Sequence, residues 1–143
     1  MHTVQQILKQ KQSALVWSVA PDDTVFSAIQ LMADKHIGAL LVLSGDRLAG
    51  ILSERDYARE VILKGRASRE TLVGQIMSTD LITVSPSDMV RDSLGLMSRH
   101  RIRHLPVLEG ENVVGILSIG DLVKDVIDDQ QETIEHLENY IRS

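Results

Sequence analysis

The segment Val19–Val61 decides the fold, because it occurs twice. It reads VAPDDTVFSAIQLMADKHIGALLVLSGDRLAGILSERDYAREV, and Val84–Val126 reads VSPSDMVRDSLGLMSRHRIRHLPVLEGENVVGILSIGDLVKDV. The two copies align without a gap at a spacing of 65 residues, and 17 of the 43 positions are identical. Self-similarity at a fixed spacing is typical of a repeated structural unit. The chain of 143 residues is therefore predicted to contain two copies of one fold.

Each copy predicts the same order of elements. Asp23 and Asp88 are expected to cap helices that end near His36 and His100, because apolar residues follow at the i, i+4, i+7 spacing of one buried helix face. Those residues are Val25, Ile29 and Met32 in the first copy and Val90, Leu94 and Met97 in the second. Two short strands joined by a glycine-containing turn then follow in each copy. The strand pairs are Ala39–Leu43 with Leu48–Leu52, and His104–Leu108 with Val113–Leu117.

A first strand near Leu15–Val19 or Leu81–Val84, and a second helix from Ser53 or Ser118, complete the order β-α-β-β-α in each copy. The predicted fold class is therefore mixed α/β (α+β). A unit of about 50 residues cannot easily bury its own sheet, so we expect the copies to pack about a pseudo-twofold axis with clefts between them. The predicted boundaries are 8–64 and 76–128 for the two domains, 65–75 for a connector and 129–143 for a C-terminal helix.

Composition narrows the functional classes. The chain has no cysteine, so it has no disulfide framework, thiolate zinc site or cysteine nucleophile. No apolar run approaches the roughly 20 residues of a membrane span, and the first residues do not resemble a signal peptide. The net charge of −5 arises from Asp121–Ser143, which holds 7 acidic and 2 basic residues. These features predict a cytoplasmic protein with no membrane partner and little affinity for nucleic acid.

The clearest chemical pattern is GILSERD, Gly50–Asp56, repeated as GILSIGD, Gly115–Asp121. In each, a strand ends in serine and turns into a helix that carries an aspartate three positions later. Ordinary helix capping explains one such copy. Two copies beside a predicted cleft also suit a ribose, whose hydroxyls a carboxylate can accept, with a phosphate near the helix N-terminus. The sequence leaves both interpretations open.

The chain resembles a pair of cystathionine-β-synthase (CBS) domains, the Bateman module, in its doubled Pro-x-Asp, Ile-x-x-Leu-Pro-Val-like and Gly-Ile-Leu-Ser-x-x-Asp patterns. That resemblance implies a site for an adenosine ligand such as AMP, ATP, NAD or S-adenosylmethionine, with no cofactor required. It assigns the ribose contacts to Ser53 with Asp56 and to Ser118 with Asp121. It places adenine near backbone in two groups, which are Ser13, Trp17 and Ser18 with Ile51, and Ser78, Ile82 and Thr83 with Ile116.

A cluster of cations lies in Arg99–Val107. Arg103 and His104 stand where the family's phosphate contacts would be, and an ordinary histidine pKa of about 6.5 would tighten phosphate binding toward pH 6. The first copy has Gly38 and Ala39 there, so the two sites are predicted to differ. His100 and His104 have the four-residue spacing of a helical zinc pair, but no glutamate lies between them and a helix-to-strand junction separates them, so no metal site is expected.

No common hydrolase, P-loop or dinucleotide-binding signature is present, so the chain is predicted not to be an enzyme. We expect a regulatory sensor that binds an adenosine nucleotide, forms a homodimer and acts on a target protein that the sequence does not name. Three alternatives stay open: a constitutive dimerisation scaffold with empty clefts, a weak nucleotide hydrolase, and nucleic-acid binding by the arginine cluster.

Overall fold

A computed structural model describes residues 2–11 and 17–142, and within them the chain forms two compact units. The first-repeat unit contains residues 17–82 and the turn segment 109–114. The second-repeat unit contains residues 2–11, 83–108 and 115–142. The N-terminal residues therefore belong to the unit that holds most of the second repeat.

The first-repeat unit is built on a three-stranded sheet in the order β1-β2-β3. Strand β1 (Ser18–Val19) pairs in parallel with β2 (Ala39–Ser44), and β2 pairs antiparallel with β3 (Arg47–Ser53). The turn between β2 and β3 contains Gly45 at φ +65°. That left-handed conformation favours glycine, and it closes a hairpin between two apolar strands.

Three helical segments cover this sheet. Helix α2 spans Val25–Lys35, helix α3 spans Glu54–Tyr57 and continues as a π-helical turn over Ala58–Ile62, and helix α4 spans Val73–Ile76. The buried core joins α2 to the sheet and to the two later segments. It consists of Val25, Ala28, Met32, Leu40, Val42, Leu52, Val61, Val73 and Ile76.

The second-repeat unit repeats this plan with different surroundings. It contains helix α5 (Val90–His100), helix α6 (Ile119–Arg142) and, apart from residues 109–114, the two-stranded sheet of β4 (His104–Glu109) and β5 (Asn112–Ser118). Val84 makes a single parallel bridge to Val107 in place of a full first strand. The predicted helix, hairpin and second helix are therefore confirmed in both repeats, whereas the predicted strand Leu81–Val84 is reduced to this bridge. The predicted hairpin strands match the observed bounds to within one residue.

Helix α1 (Val4–Gln10) was not predicted, because the sequence analysis began the first domain at residue 8. Thr3 caps this helix in a capping box with Gln6. The amide of Val4 donates to the carbonyl of Asp88 at 2.8 Å, which ties α1 to the start of α5. The pattern Thr3-x-x-Gln6 followed by apolar residues is the signal that could have revealed the helix.

The prediction that Asp23 and Asp88 cap helices is wrong. Helix α2 begins one residue later, and Thr24 accepts the amide hydrogen of Ser27 as its N-cap. The carboxylate of Asp23 instead accepts the amide of Ala20 at 2.8 Å, and Asp88 accepts that of Ser85 at the same distance. Each aspartate therefore closes the turn before its helix.

Helix α6 is continuous for 24 residues, so the predicted C-terminal helix from residue 129 continues the helix that starts after Ser118. Beyond Asp125 its side chains are largely exposed. The predicted strand residues Leu15 and Val16 lie outside the described residues.

Two equivalent glycines yield a test of the packing. A Cβ atom on Gly50 would lie 2.8 Å from the backbone carbonyl of Ser78, whereas one on Gly115 would lie 2.7 Å from the end of the Leu8 side chain. Both Gly→Ala changes reduce unfolded-state entropy equally, but only Leu8 can rotate away. We expect Gly50→Ala to lower the free energy of unfolding by about 1–3 kcal/mol and Gly115→Ala to lower it less. Urea denaturation of both variants measures the difference, and equal losses would contradict it.

Candidate functional site

The junction between β3 and α3 is a reciprocal capping box. The amide of Ser53 donates to Oδ2 of Asp56 at 3.0 Å, and the amide of Asp56 donates to Oγ of Ser53 at 3.1 Å. The amide of Glu54 also donates to the carbonyl of Gly38 at 3.0 Å. These bonds hold the Asp56 carboxylate at the point where the strand becomes a helix.

A segment that follows the connector completes this first site. Ser78 exchanges two backbone hydrogen bonds with Ile51, at 2.9 and 3.0 Å, and its hydroxyl donates to Oδ1 of Asp56 at 3.4 Å. The prediction that Ser78 groups with Ile116 is wrong, because the backbone bridge places Ser78 beside Ile51. We call Ile51, Ser53, Asp56 and Ser78 the Asp56 site.

The second copy has the same capping box at the start of α6. The amide of Ser118 donates to Oδ2 of Asp121 at 2.9 Å, and the amide of Asp121 donates to Oγ of Ser118 at 3.1 Å. The amide of Ile119 donates to the carbonyl of Arg103 at 2.8 Å. That bond brings Arg103 and the following His104 to the N-terminal end of α6.

Lys11, which was not predicted from the sequence, lies in this second site. The ammonium group of Lys11 donates to Oδ2 of Asp121 at 2.9 Å and to the carbonyl of Ile116 at 2.9 Å. Lys11 aligns with Ile76 at the 65-residue spacing, so the repeat gave no signal for it. We call Lys11, Arg103, His104, Ile116, Ser118 and Asp121 the Asp121 site.

Opposing effects act on the Asp121 carboxylate. Partial burial raises its pKa, but the hydrogen bond from the Ser118 amide and the contact with Lys11 outweigh burial. The net result is a pKa below the ordinary value. The carboxylate therefore stays ionised and able to accept hydrogen bonds over the whole neutral range.

His104 is more perturbed than the sequence predicted. Burial lowers its pKa most, the Asp121 carboxylate opposes that effect, and the nearby Lys11 and Arg103 cations reinforce it. The expectation of an ordinary pKa near 6.5 is therefore wrong. The lowered pKa favours the neutral imidazole, which can still donate or accept a hydrogen bond.

The other predicted contacts are dispersed. The ammonium of Lys35 lies 4.4 Å from the ring centroid of Trp17, and Ser18 pairs with Leu41 in the sheet. Ile82 and Thr83 are half-buried in the irregular segment before Val84. Ser13 lies outside the described residues.

In residues 2–11 and 17–142, no cluster of three His, Cys, Asp or Glu side chains could hold a metal ion. No helix in the same residues has the length and apolarity needed to cross a bilayer. A cavity of about 500 Å³ lies between α1 and α6. It is lined by Ile7, Gln10, Lys11, Asp121, Lys124, Asp125 and Asp128.

Comparisons with known proteins agree on one family. The model of the CBS domain matches residues 14–63 and 73–128. The mitochondrial CBS domain-containing protein CBSX3 of Arabidopsis thaliana is 39% identical, over 98% of this chain and 72% of that protein. The CBS domain-containing protein YhcV of Bacillus subtilis is 36% identical, over 80% of this chain and 81% of its own. A solved structure of a protein with CBS domains from Burkholderia ambifaria superimposes with a TM-score of 0.87 and 51% identity, covering 90% of this chain and 96% of that one.

The lowered pKa of His104 predicts how stability depends on pH. Between the ordinary pKa of about 6.5 and the lower folded value, the unfolded chain binds the proton and the folded chain does not, so stability falls as pH falls. The cost is about 1.4 kcal/mol for each unit by which the two pKa values differ. His104→Gln removes this titration while keeping a hydrogen-bonding side chain.

We therefore expect the free energy of unfolding to fall more steeply for the wild type than for His104→Gln between pH 7.5 and 5. Urea denaturation across that range measures both curves, and groups that titrate in both proteins cancel in the difference. Parallel curves would contradict the lowered pKa. His136→Gln, on the exposed part of α6, is the matched control and should follow the wild type.

Proposed function

We propose that this chain, which belongs to the CBS-domain family and carries two copies of the domain, binds an adenosine nucleotide and relays its presence by a change of conformation. CBS domains are regulatory modules, and the proposed ligand class is AMP, ATP, NAD or S-adenosylmethionine. The observation that carries the proposal is the duplicated Ser-x-x-Asp capping box, which holds a carboxylate at the end of a strand in both repeats.

Capping uses only part of the Asp56 carboxylate. Its Oδ2 accepts the Ser53 amide, while Oδ1 lies 3.4 Å from the Ser78 hydroxyl. That distance is long, because the two oxygen atoms normally lie about 2.5–2.7 Å apart when a hydroxyl donates to a carboxylate. A ribose hydroxyl could therefore displace Ser78 from Oδ1 at little cost. This leftover capacity favours the ribose interpretation over capping alone.

Fewer backbone groups of Ile51 and Ile116 are available to bind adenine than the family resemblance implied, because other residues already bond to them. The amide and the carbonyl of Ile51 are both bonded to Ser78, and the carbonyl of Ile116 accepts Lys11. A carbonyl oxygen keeps a second lone pair, so each can accept one further hydrogen bond from an adenine amino group. We propose that the apolar side chains of these isoleucines supply the remaining contact with the base.

Phosphate recognition is proposed for the Asp121 site. Arg103 is exposed, and its carbonyl is fixed to the first turn of α6, whose dipole favours an anion. A guanidinium group offers forked donors that match phosphate oxygens. The equivalent Gly38 has no side chain, so the Asp56 site lacks this contact. A phosphorylated ligand should distinguish the two sites, and adenosine should do so less.

We also propose that the protein is a homodimer, as the sequence predicted. Helix α6 exposes Val123, Ile127, Ile134, Leu137 and Ile141. The three isoleucines recur every seven residues, and Leu137 falls at the second apolar position of that heptad. Isoleucine and leucine at these two positions favour a two-stranded parallel coiled coil. A second copy of α6 is therefore the partner that this face fits.

The action on a target protein, the alternative of a constitutive scaffold and the cellular location also stay proposals. A constitutive scaffold would share the dimer but leave both sites empty. The cytoplasmic location is a prediction from the sequence alone, and the Arabidopsis relative is named as mitochondrial.

The ligand proposal is tested by thermal unfolding with adenosine, AMP, ATP, NAD and S-adenosylmethionine. A ligand at a hundredfold excess over its Kd adds about 2.7 kcal/mol, which should raise Tm by roughly 5–10 °C for a chain of this size. Asp56→Ala and Asp121→Ala should each reduce the shift. Each should also lower the free energy of unfolding without ligand, by about 0.5–2 kcal/mol, through the lost cap.

Asp23→Ala is the matched control, because that carboxylate also accepts a backbone amide but lies outside both sites. It should lower Tm and leave the ligand shift unchanged. If Asp56→Ala and Asp121→Ala behave like Asp23→Ala, capping is their whole role and the ribose assignment is wrong. No shift with any of the five ligands, and no small molecule released from the purified protein by mass spectrometry, would favour the scaffold.

The dimer is tested by light scattering. We expect the wild type to give twice 15.9 kDa at micromolar concentration. The double variant Ile127→Asp with Ile134→Asp should give a folded monomer, because it places two charges in the proposed seam. Glu132→Ala, on the opposite face of α6, should stay dimeric. A monomeric wild type, or a dimer that survives the double variant, would contradict the proposed seam.

A further inference from the structure

We propose that Lys11 closes the Asp121 site, so that the two sites fill in a fixed order with the Asp56 site first. The proposal rests on the proposed function, because it assumes that both sites bind an adenosine nucleotide. It adds a residue from outside the repeat that sets the difference in affinity between them.

The acceptors of Lys11 are the two groups that a nucleoside would need. Its ammonium group donates at 2.9 Å to Oδ2 of Asp121, the proposed ribose contact, and at 2.9 Å to the carbonyl of Ile116, the proposed adenine contact. One cation therefore links the two halves of the site. A ribose and a base that approach these two acceptors meet the ammonium group there, so each must share its acceptor with Lys11 or displace it.

Packing of α1 holds Lys11 in this position. The amide of Lys11 donates to the carbonyl of Ile7 at 3.1 Å at the end of the helix. Leu8 packs so closely on β5 that a Cβ atom at Gly115 would lie 2.7 Å from it. The ammonium group thus comes from a helix that is anchored to the same unit as Asp121.

Among residues 2–11 and 17–142, no cation forms an ion pair with Asp56 as Lys11 does with Asp121. The partner of Asp56 there is the Ser78 hydroxyl at 3.4 Å, and a ribose hydroxyl can replace it without any change of charge. Displacing Lys11 instead leaves a half-buried carboxylate without its counter-ion, which is costly. The Lys11 and Asp121 side chains are only 30% and 25% exposed, so solvent screens their interaction incompletely.

The fixed order also agrees with the cations around the second site. A ligand with a phosphate group can regain binding energy from Arg103 after it displaces Lys11, whereas adenosine cannot. The Asp121 site should therefore fill only at higher ligand concentration, and it should favour phosphorylated ligands.

Calorimetry with AMP on single-site variants tests the proposal. Asp56→Ala leaves the Asp121 site, and adding Lys11→Met should tighten AMP binding there by roughly three- to tenfold, since exposed and buried charge pairs bracket that range. Adding Lys11→Arg to Asp56→Ala instead keeps a cation at this position, so that double variant should bind AMP as weakly as Asp56→Ala alone. Lys9→Met, on the exposed face of α1, is the matched control and should change nothing.

A second pair of variants isolates the other site. In Asp121→Ala, which leaves the Asp56 site, adding Lys11→Met should not change AMP affinity. Tm is measured for every variant, so that a lost fold is not taken for lost binding.

Three outcomes have different meanings. Weaker or unchanged AMP binding on adding Lys11→Met to Asp56→Ala would overturn the closing role, because Lys11 would then be a ligand contact or a bystander. AMP binding to Asp121→Ala, with none to Asp56→Ala whether or not Lys11 is present, would overturn it and leave the proposed function standing for one site. Folded proteins that bind none of the five ligands would overturn the proposed function itself.

Discussion

The junction where a strand ends in serine and a helix begins is the constraint on which the rest of the molecule depends. Each junction satisfies two backbone amides with two side chains, so the turn needs no other partner. A further amide bond, from Glu54 to Gly38 or from Ile119 to Arg103, fastens the helix to the neighbouring strand. The same bonds that fix the angle between strand and helix therefore also fix a carboxylate at the strand end.

The two junctions have the same hydrogen bonds, but a different segment of the chain contacts the aspartate in each one. Ser78, on the segment that follows the connector, offers a neutral hydroxyl to Asp56, whereas Lys11, at the end of the N-terminal helix, offers a cation to Asp121. At the 65-residue spacing Lys11 aligns with Ile76, whereas Ser78 aligns with Ser13, which lies outside the described residues. The repeat thus provides two carboxylates in the same geometry. Segments outside the aligned residues of the repeat determine which group, neutral or charged, lies beside each carboxylate.

The sequence predicts what depends on local periodicity and turn chemistry. The glycine turns and alternating apolar strands locate both hairpins, and helices α2 and α5 end where expected, at residues in the left-handed conformation. The cap at Asp23 was misplaced by one residue because Thr24 competes for the same role. A single sequence does not distinguish two adjacent residues that can both cap a helix.

What the sequence could not predict depends on contacts between distant parts of the chain. Lys11 is 110 residues from Asp121, and no repeat or motif connects them. The lowered pKa of His104 likewise follows from burial and from neighbours on two other elements. Ser78 was placed in the wrong group because spacing within a repeat does not reveal which repeat a connecting segment packs on.

The unbroken course of α6 has a mechanical consequence. A helix of 24 residues is about 36 Å long at 1.5 Å per residue, and its first turn contains Asp121. Because the helix is rigid along its axis, a tilt of about 5° at that turn would carry its far end through roughly 3 Å. The aspartate thus sits at the fulcrum of a lever, and the exposed isoleucines lie along its long arm.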